Sequence, residues 1–348
     1  MRKNGFIYFV ILVSILSQCM PNMIFAKAKK TIPAVDFFDN GEEKSVWCTR
    51  YDLIAKNVKK VYIGSEPDFW ELYEYVSRKG FVVSINSNGS MIDESAVERL
   101  KKCPPSRINI TLYGATNETY ERLCQTQNGF TKVDKAIRAL KAAGIQVKLN
   151  CSLTPYNVCD LEKMIRYAEE QQIIIETNTY MFPPLRKDPG SIGVNHRFTP
   201  EEAAQWQLKR YRLQYGEEKY KNFAEGICKG LINPMGLDES CYDPVDGKVR
   251  CRAGSAAFWI TWDGYMTPCG MMPDPKSDVV ENGFEKSWEK VIADTEKICL
   301  SGVCSECKNK GICHSCAAMA MAETGEFGKI PTYLCRMMEA MKKIVEKK

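Results

Sequence analysis

The sequence predicts an α/β fold built on a parallel sheet, open or closed into a barrel, with a small cysteine-rich domain after it. Three observations carry that expectation. Short apolar runs alternate with amphipathic helical stretches from residue 60 to 181, glycines stand where those helices end, and the alternation gives way after residue 250 to closely spaced cysteines. The runs at 61–63, 81–85, 108–112, 145–149 and 173–175 have the length and composition of strands. Between them, three sets recur at the i, i+3, i+4, i+7 spacing of one helical face: Phe69, Leu72, Tyr73 and Val76; Val133, Ala136, Ile137 and Leu140; Leu161, Met164, Ile165 and Ala168. Asp160 is placed to N-cap the last of these helices, and Gly80 and Gly144 are placed to end helices in the left-handed conformation. Strand–helix units in series close by right-handed crossovers, which makes the sheet parallel. The apolar run at 6–16 reads as a buried first strand of that sheet and brings the strand count to six.

Pro183-Pro184 and Lys187-Asp188-Pro189-Gly190 end the repeat, and Thr199-Pro200-Glu201-Glu202 starts a polar helix with a capping-box pattern. The expected organisation is therefore a strand–helix body over 1–190, its first sixty residues atypical, a helical bridging region over 191–250, and a cysteine-rich domain over 251–348. In this last domain turns are expected to replace regular periodicity until a final amphipathic helix from about Tyr333.

The net charge of +5 comes from basic residues dispersed among nearly as many acidic ones, and the dense basic positions are confined to Lys342, Lys343, Lys347 and Lys348. Nucleic acid is therefore not an implied partner. Arg2 and Lys3 ahead of the 6–16 run, with Ile24-Phe25-Ala26 beyond it, also have the form of a secretory signal. The run is too short to span a membrane. Reducing chemistry downstream favours the strand and a cytoplasmic location, with export as the alternative.

Eight of the sixteen cysteines lie from Cys251 onward, and seven of them, all but Cys299, follow the order Cys251, Gly264, Cys269, then Cys304-x2-Cys307-x5-Cys313-x2-Cys316, then Cys335. Two residues between cysteines let both sulfurs face one centre, and soft thiolates select iron–sulfur clusters or zinc over hard cations. A zinc ribbon on Cys304, Cys307, Cys313 and Cys316 remains open from spacing alone, and His314 reads as a loop histidine. Cys48, Cys103, Cys124, Cys151, Cys159 and Cys228 read as small buried hydrophobes. With two histidines, both in loops, no Ser–His–acid arrangement is available and no catalytic side chain is assigned.

The order Cys-x12-Gly-x4-Cys, Cys-x2-Cys-x5-Cys-x2-Cys and a last Cys resembles the SPASM domain of radical S-adenosylmethionine (SAM) enzymes. The resemblance implies two auxiliary 4Fe-4S clusters, the outer on Cys304, Cys307, Cys313 and Cys335, the inner on Cys251, Cys269 and Cys316. The family pattern has three residues where this chain has two before Cys316, and Cys241 and Cys299 are candidates for the missing inner ligand. Gly64-Ser65-Glu66-Pro67 after the second strand resembles the family's Gly-Gly-Glu-Pro motif, and Asn86-Ser87-Asn88-Gly89 after the third resembles its Asn-Thr-Asn-Gly turn. The implied fold is a partial (β/α)6 TIM-like barrel, whose ligand site lies at the C-terminal strand ends. Glu66 would bind the amino group of SAM, with Gly64, Ser65, Pro67, Asn86 and Asn88 around it.

The family's SAM-binding cluster sits on Cys-x3-Cys-x2-Cys after the first strand, where this chain reads Cys19-x3-Met23-x2-Ala26. Two readings follow from the resemblance. One is an iron–sulfur oxidoreductase or maturase that modifies a ribosomally made peptide through a 5'-deoxyadenosyl radical, with an electron donor as partner. The other is a non-catalytic iron–sulfur protein, peptide-binding or electron-relaying, that has lost SAM cleavage. By position, the 180–186 stretch after the last strand is a candidate substrate contact.

Overall fold

The computed structural model describes residues 11–14, 60–63, 69–183, 197–230, 247–249, 251–261, 263–313 and 315–347. The chain divides into two compact units, one of Met1–Ser87, Lys102–Ile108 and Cys251–Lys297, the other of Asn88–Lys101, Asn109–Arg250 and Ile298–Lys348. Among the described residues, no helix is long and apolar enough to cross a membrane.

In the first unit, strand Lys60–Ile63 runs parallel to Val82–Ser87, with Val61 opposite Val83 and Ile63 opposite Ile85. The crossover helix Phe69–Arg78 buries Leu72, Tyr73 and Val76, as its spacing predicts, and is followed by Gly80 at φ 82°. Strand Ile11–Ser14 departs from expectation. It pairs antiparallel with Lys60–Ile63 and antiparallel with Ala257–Ile260, so it is not the first strand of a parallel series. An apolar run encodes burial on both faces but carries no information on direction.

The cysteine-rich region is also more regular than expected. Ala257–Ile260, Tyr265–Thr267 and Ser277–Asp278 form an antiparallel meander. The helix Val279–Glu296 then starts where the Asp278 carboxylate accepts from the Val280 and Glu281 amides at 2.8 and 3.0 Å. It is broken at Gly283 and packs Phe284 and Trp288 on Phe258, ring centroids 5.2 and 5.3 Å apart. Short strands joined by tight turns leave too few residues for a period-2 signal. Gly264, the glycine of the cysteine signature, makes the turn between the first two strands at φ 84°, and a Cβ there would stand 3.0 Å from Val280 Cγ2.

In the second unit, Val147–Ser152 runs parallel to Ile175–Asn178, and the Leu112 amide donates to the Asn150 carbonyl at 2.8 Å. The helices Gly129–Ala142 and Leu161–Glu170 bury the apolar sets read from the sequence. Ile110, Leu112, Ile137, Leu140 and Leu149 have no exposure at all, and each such side chain contributes roughly 1.5–3 kcal/mol of apolar burial. The helix Pro200–Cys228 opens with the predicted capping box, Thr199 amide to Glu202 Oε2 at 2.9 Å and Glu202 amide to Thr199 Oγ1 at 3.3 Å, and is broken at Gly216. Along it packs the final helix, Thr332–Glu346, burying Tyr333, Leu334, Met337, Met338, Met341 and Val345.

Asp160 does not cap its own helix. Its carboxylate accepts from the Ala115 amide at 3.1 Å, Thr116 Oγ1 at 3.2 Å and Lys163 Nζ at 3.1 Å, pinning the loop after strand Arg107–Thr111. Burial alone would raise this carboxyl, but hydrogen bonds from Thr119, Lys163 and the Ala115 amide outweigh it and hold it below the usual range. Its stabilisation is therefore complete above the unfolded value of about 3.9 and is lost as pH falls through the lower folded value. Asp160→Asn is expected to cost about 1.5–3 kcal/mol near neutral pH. In denaturant unfolding followed against pH, the gap to the parent protein should close at the acid end; a constant gap would refute the assignment.

Candidate iron–sulfur centre and cofactor-binding residues

Four cysteines of the second unit come together. The short helix Gly302–Ser305 presents Cys304, whose carbonyl accepts from the Cys307 amide at 3.3 Å. The Asn309 amide donates to Cys307 Sγ at 3.4 Å, while the Asn309 carbonyl accepts from the Cys313 amide at 2.9 Å. The fourth, Cys335, lies in the first turn of the final helix. Burial pushes the Cys313 thiol up to about 12 against a hydrogen bond from the Ser315 backbone, and the Cys335, Cys304 and Cys307 sulfurs add to the rise. Burial likewise raises Cys335, with Cys304 and Cys307 contributing, and raises Cys304, with Cys307 contributing. Cys313 thus lies where the other three sulfurs bear on it.

Among the described residues, no group of three or more His, Cys, Asp or Glu is arranged to hold a single metal ion. A 4Fe-4S cluster asks something else of its ligands, since four thiolates each take a different iron, and four soft thiols with an amide already directed at one sulfur fit that group. The loop between Cys307 and Cys313 rests on backbone. A Cβ added at Gly311 would stand 2.0 Å from the carbonyl oxygen of Gly230, just past the end of the Pro200–Cys228 helix.

Of the remaining predicted ligands, Cys251 and Cys269 lie in the first unit and Cys316 in the second. Burial raises the Cys269 thiol, the Met271 amide opposes it by donating to Sγ at 3.5 Å, and Cys251 adds to the rise, so this pair is mutually close. Cys316 occupies the N-cap position of the helix Ala317–Thr324. Of the two substitutes, Cys299 is exposed, 3.5 Å from Lys248 Nζ, and Cys241 lies outside the described residues.

Gly64, Ser65, Glu66 and Pro67 also lie outside the described residues, as do Cys19, Met23, Ala26, Cys48 and both histidines. Asn86 is the next-to-last residue of strand Val82–Ser87. The Asn88 side chain is engaged by its own turn, Oδ1 accepting from the Ser90 amide at 3.0 Å and Ser90 Oγ at 2.8 Å. Gly89 follows at φ 75°, where a Cβ would stand 3.3 Å from Ile110 Cγ2. Gly89→Ala is expected to cost about 1–2 kcal/mol, from left-handed backbone strain, in equilibrium unfolding; no loss would mean that the turn relaxes.

A buried polar network was not foreseen. Arg197 Nη1 and Nη2 donate to the two carboxylate oxygens of Glu323 at 2.6 and 3.0 Å, and Nη1 also reaches the Met181 carbonyl at 3.3 Å. The guanidinium lies 4.1 Å from the centroid of the Tyr333 ring, the Tyr333 hydroxyl donates to the Phe198 carbonyl at 2.8 Å, and the Tyr180 hydroxyl donates to Glu323 at 2.9 Å. Burial, then Glu323 and, with less weight, Cys316 hold the Tyr180 hydroxyl far above its ordinary range. Tyr180 is buried with its hydroxyl held by Glu323, and residues 184–186 lie outside the described residues. The partners are 126 residues apart, which no local pattern reveals. The expected burial of the scattered cysteines holds for Cys151; Cys103 and Cys124 are intermediate, and Cys159 and Cys228 are exposed. Cys159 Sγ instead accepts from Arg122 Nη2 at 3.3 Å, a polar role that a rule of average burial does not anticipate.

Parallel strand–helix units followed by a cysteine-rich region define an α/β class of protein. Residues 51–168 match the model of the Radical SAM superfamily. Over 278 residues the chain is 21% identical to the AdoMet-dependent heme synthase of Methanosarcina barkeri, covering 76% of this chain and 77% of that protein. It is 32% identical over 266 residues to the mycofactocin maturase MftC of Mycobacterium tuberculosis, covering 74% and 64% respectively. Its fold is similar to that of native anSMEcpe solved with bound AdoMet and Kp18Cys peptide, with a TM-score of 0.59 at 15% identity, covering 86% of each chain. The chain thus carries a Radical SAM superfamily domain over residues 51–168.

Proposed function

We propose that this protein is an iron–sulfur oxidoreductase or maturase acting on a ribosomally made peptide, with its C-terminal region serving as a SPASM domain. The observation that supports the proposal is that Cys304, Cys307 and Cys335 bear on the buried Cys313, a set that would supply four thiolates for an outer auxiliary 4Fe-4S cluster. Cys251 and Cys269 would contribute to an inner cluster together with Cys316. Similarity to a maturase, and to a fold solved with both AdoMet and a peptide, supports a peptide as substrate. Gly64, Ser65, Glu66, Pro67, Asn86 and Asn88 would form the SAM pocket, and an external electron donor would reduce the clusters. In the family, a bound SAM and its reduced cluster supply a 5'-deoxyadenosyl radical that abstracts hydrogen from substrate.

The donor set at Cys19, Met23 and Ala26 does not fit that SAM-binding cluster. Alanine has no ligand atom and a thioether substitutes poorly for a thiolate. This observation favours the second reading, a peptide-binding or electron-relaying iron–sulfur protein without SAM cleavage.

Iron, acid-labile sulfide and 5'-deoxyadenosine measured on anaerobically purified protein separate the two. About eight irons per chain without 5'-deoxyadenosine would establish the second reading, and about twelve with it the first. A colourless protein carrying one zinc would defeat both.

A further inference from the structure

The Arg197–Glu323 pair joins the elements that carry two predicted cluster ligands. Glu323 lies in the last turn of Ala317–Thr324, the helix that opens at Cys316, and Tyr333 lies two residues before Cys335 in the final helix. One guanidinium therefore bears on the carboxylate of the first helix, the aromatic ring of the second and the Met181 carbonyl. The side chains are 14% and 7% exposed, so both charges have given up most of their hydration. A buried ion pair gains little net stability over a well-packed apolar pair, and its best-attested use is to fix one arrangement among several. The helix it holds needs such fixing. It spans eight residues, presents mostly alanine and methionine, and ends at Gly325 with φ 79°; a helix this short is marginal without tertiary support.

We propose that Arg197 and Glu323 are positioning residues for the iron–sulfur centres, setting the helix that opens at Cys316 against the helix that carries Cys335. This rests on the reading of Cys316 and Cys335 as cluster ligands. Neither side chain ligates iron. Their bidentate geometry orients the two elements from which ligands project, and the stacked Tyr333 ring transmits that orientation to the first turn around Cys335.

The test uses the full chain, reconstituted with iron and sulfide, as Arg197→Met, Glu323→Gln and the double variant Arg197→Met/Glu323→Leu. Each is compared with the unaltered protein for iron per chain, electron paramagnetic resonance of the reduced clusters, and midpoint potential, at matched folded fraction by circular dichroism. The single variants are expected to lose up to about half of the iron, or to show broadened resonances and a displaced potential on the iron retained. The double variant, freed of unpaired buried charge, should regain thermal stability yet keep the altered resonances. Parental iron, resonances and potential in both single variants would overturn the inference alone. So would a double variant that restores every signature along with stability, because the pair would then be purely structural. An unaltered protein that binds no cluster would overturn the inference and the ligand reading together.

Discussion

Met23→Cys combined with Ala26→Cys is expected to give a protein that gains about four irons per chain and releases 5'-deoxyadenosine from SAM under strong reductant. On the reading without SAM cleavage, the parent releases none. The argument is one of ligand chemistry. Three thiolates hold three irons of such a cluster and leave the fourth iron for the cofactor, and this chain keeps Cys19 at the first position of that spacing. Restoring two thiolates supplies the missing donor atoms without altering the spacing. The readouts are iron content and chromatographic detection of 5'-deoxyadenosine. A variant that gains neither would show that the absence of two ligands is not the reason for silence, and that the first sixty residues differ from the family in more than two positions.

Cys313→Ala should produce the second largest effect, loss of about four irons per chain together with a marked fall in thermal stability. Among the converging thiols, Cys313 has the environment least hospitable to an uncompensated thiolate, with burial pushing it to about 12. A cationic cluster reverses that preference, so binding of the cluster and ordering of the loop are coupled. Cys228→Ala is the control, since that thiol is exposed and lies at the end of a helix outside the centre. Equal losses in the two variants would argue against the centre. Iron and sulfide assays with calorimetry make the comparison.

Much of this structure was legible before any coordinates. Val133, Ala136, Ile137 and Leu140 face inward because helical period and apolar character coincide, and Thr199 with Glu202 caps because the capping box is a local motif. The spacing of Cys304, Cys307, Cys313 and Cys335 marks a candidate ligand set in the sequence itself. What could not be read depends on direction or distance. The antiparallel pairing of Ile11–Ser14 is invisible in an apolar run, which looks the same from either end. Asp160 sits where a capping residue would, and only tertiary contact with Ala115 and Thr116 diverts its carboxylate. Arg197 and Glu323 meet across 126 residues, so their pairing has no sequence-local trace. Asn88 shows a third limit, since a motif read as a ligand pocket also satisfies the needs of a turn.

The contact of Gly311 with the Gly230 carbonyl bears on how a cluster would be acquired. A loop free in solvent would have to surrender its backbone freedom at the moment iron arrives, at roughly 1–2 kcal/mol for each residue ordered. Here the segment between Cys307 and Cys313 already leans on the backbone that follows the long helix, and the amides of Cys307 and Cys313 are already engaged. Part of the ordering entropy is then incurred when the polypeptide folds and not when the cluster is inserted. On the proposed reading the apoprotein would meet incoming iron and sulfide with a loop already shaped, and any side chain larger than hydrogen at position 311 would lift that loop off its support.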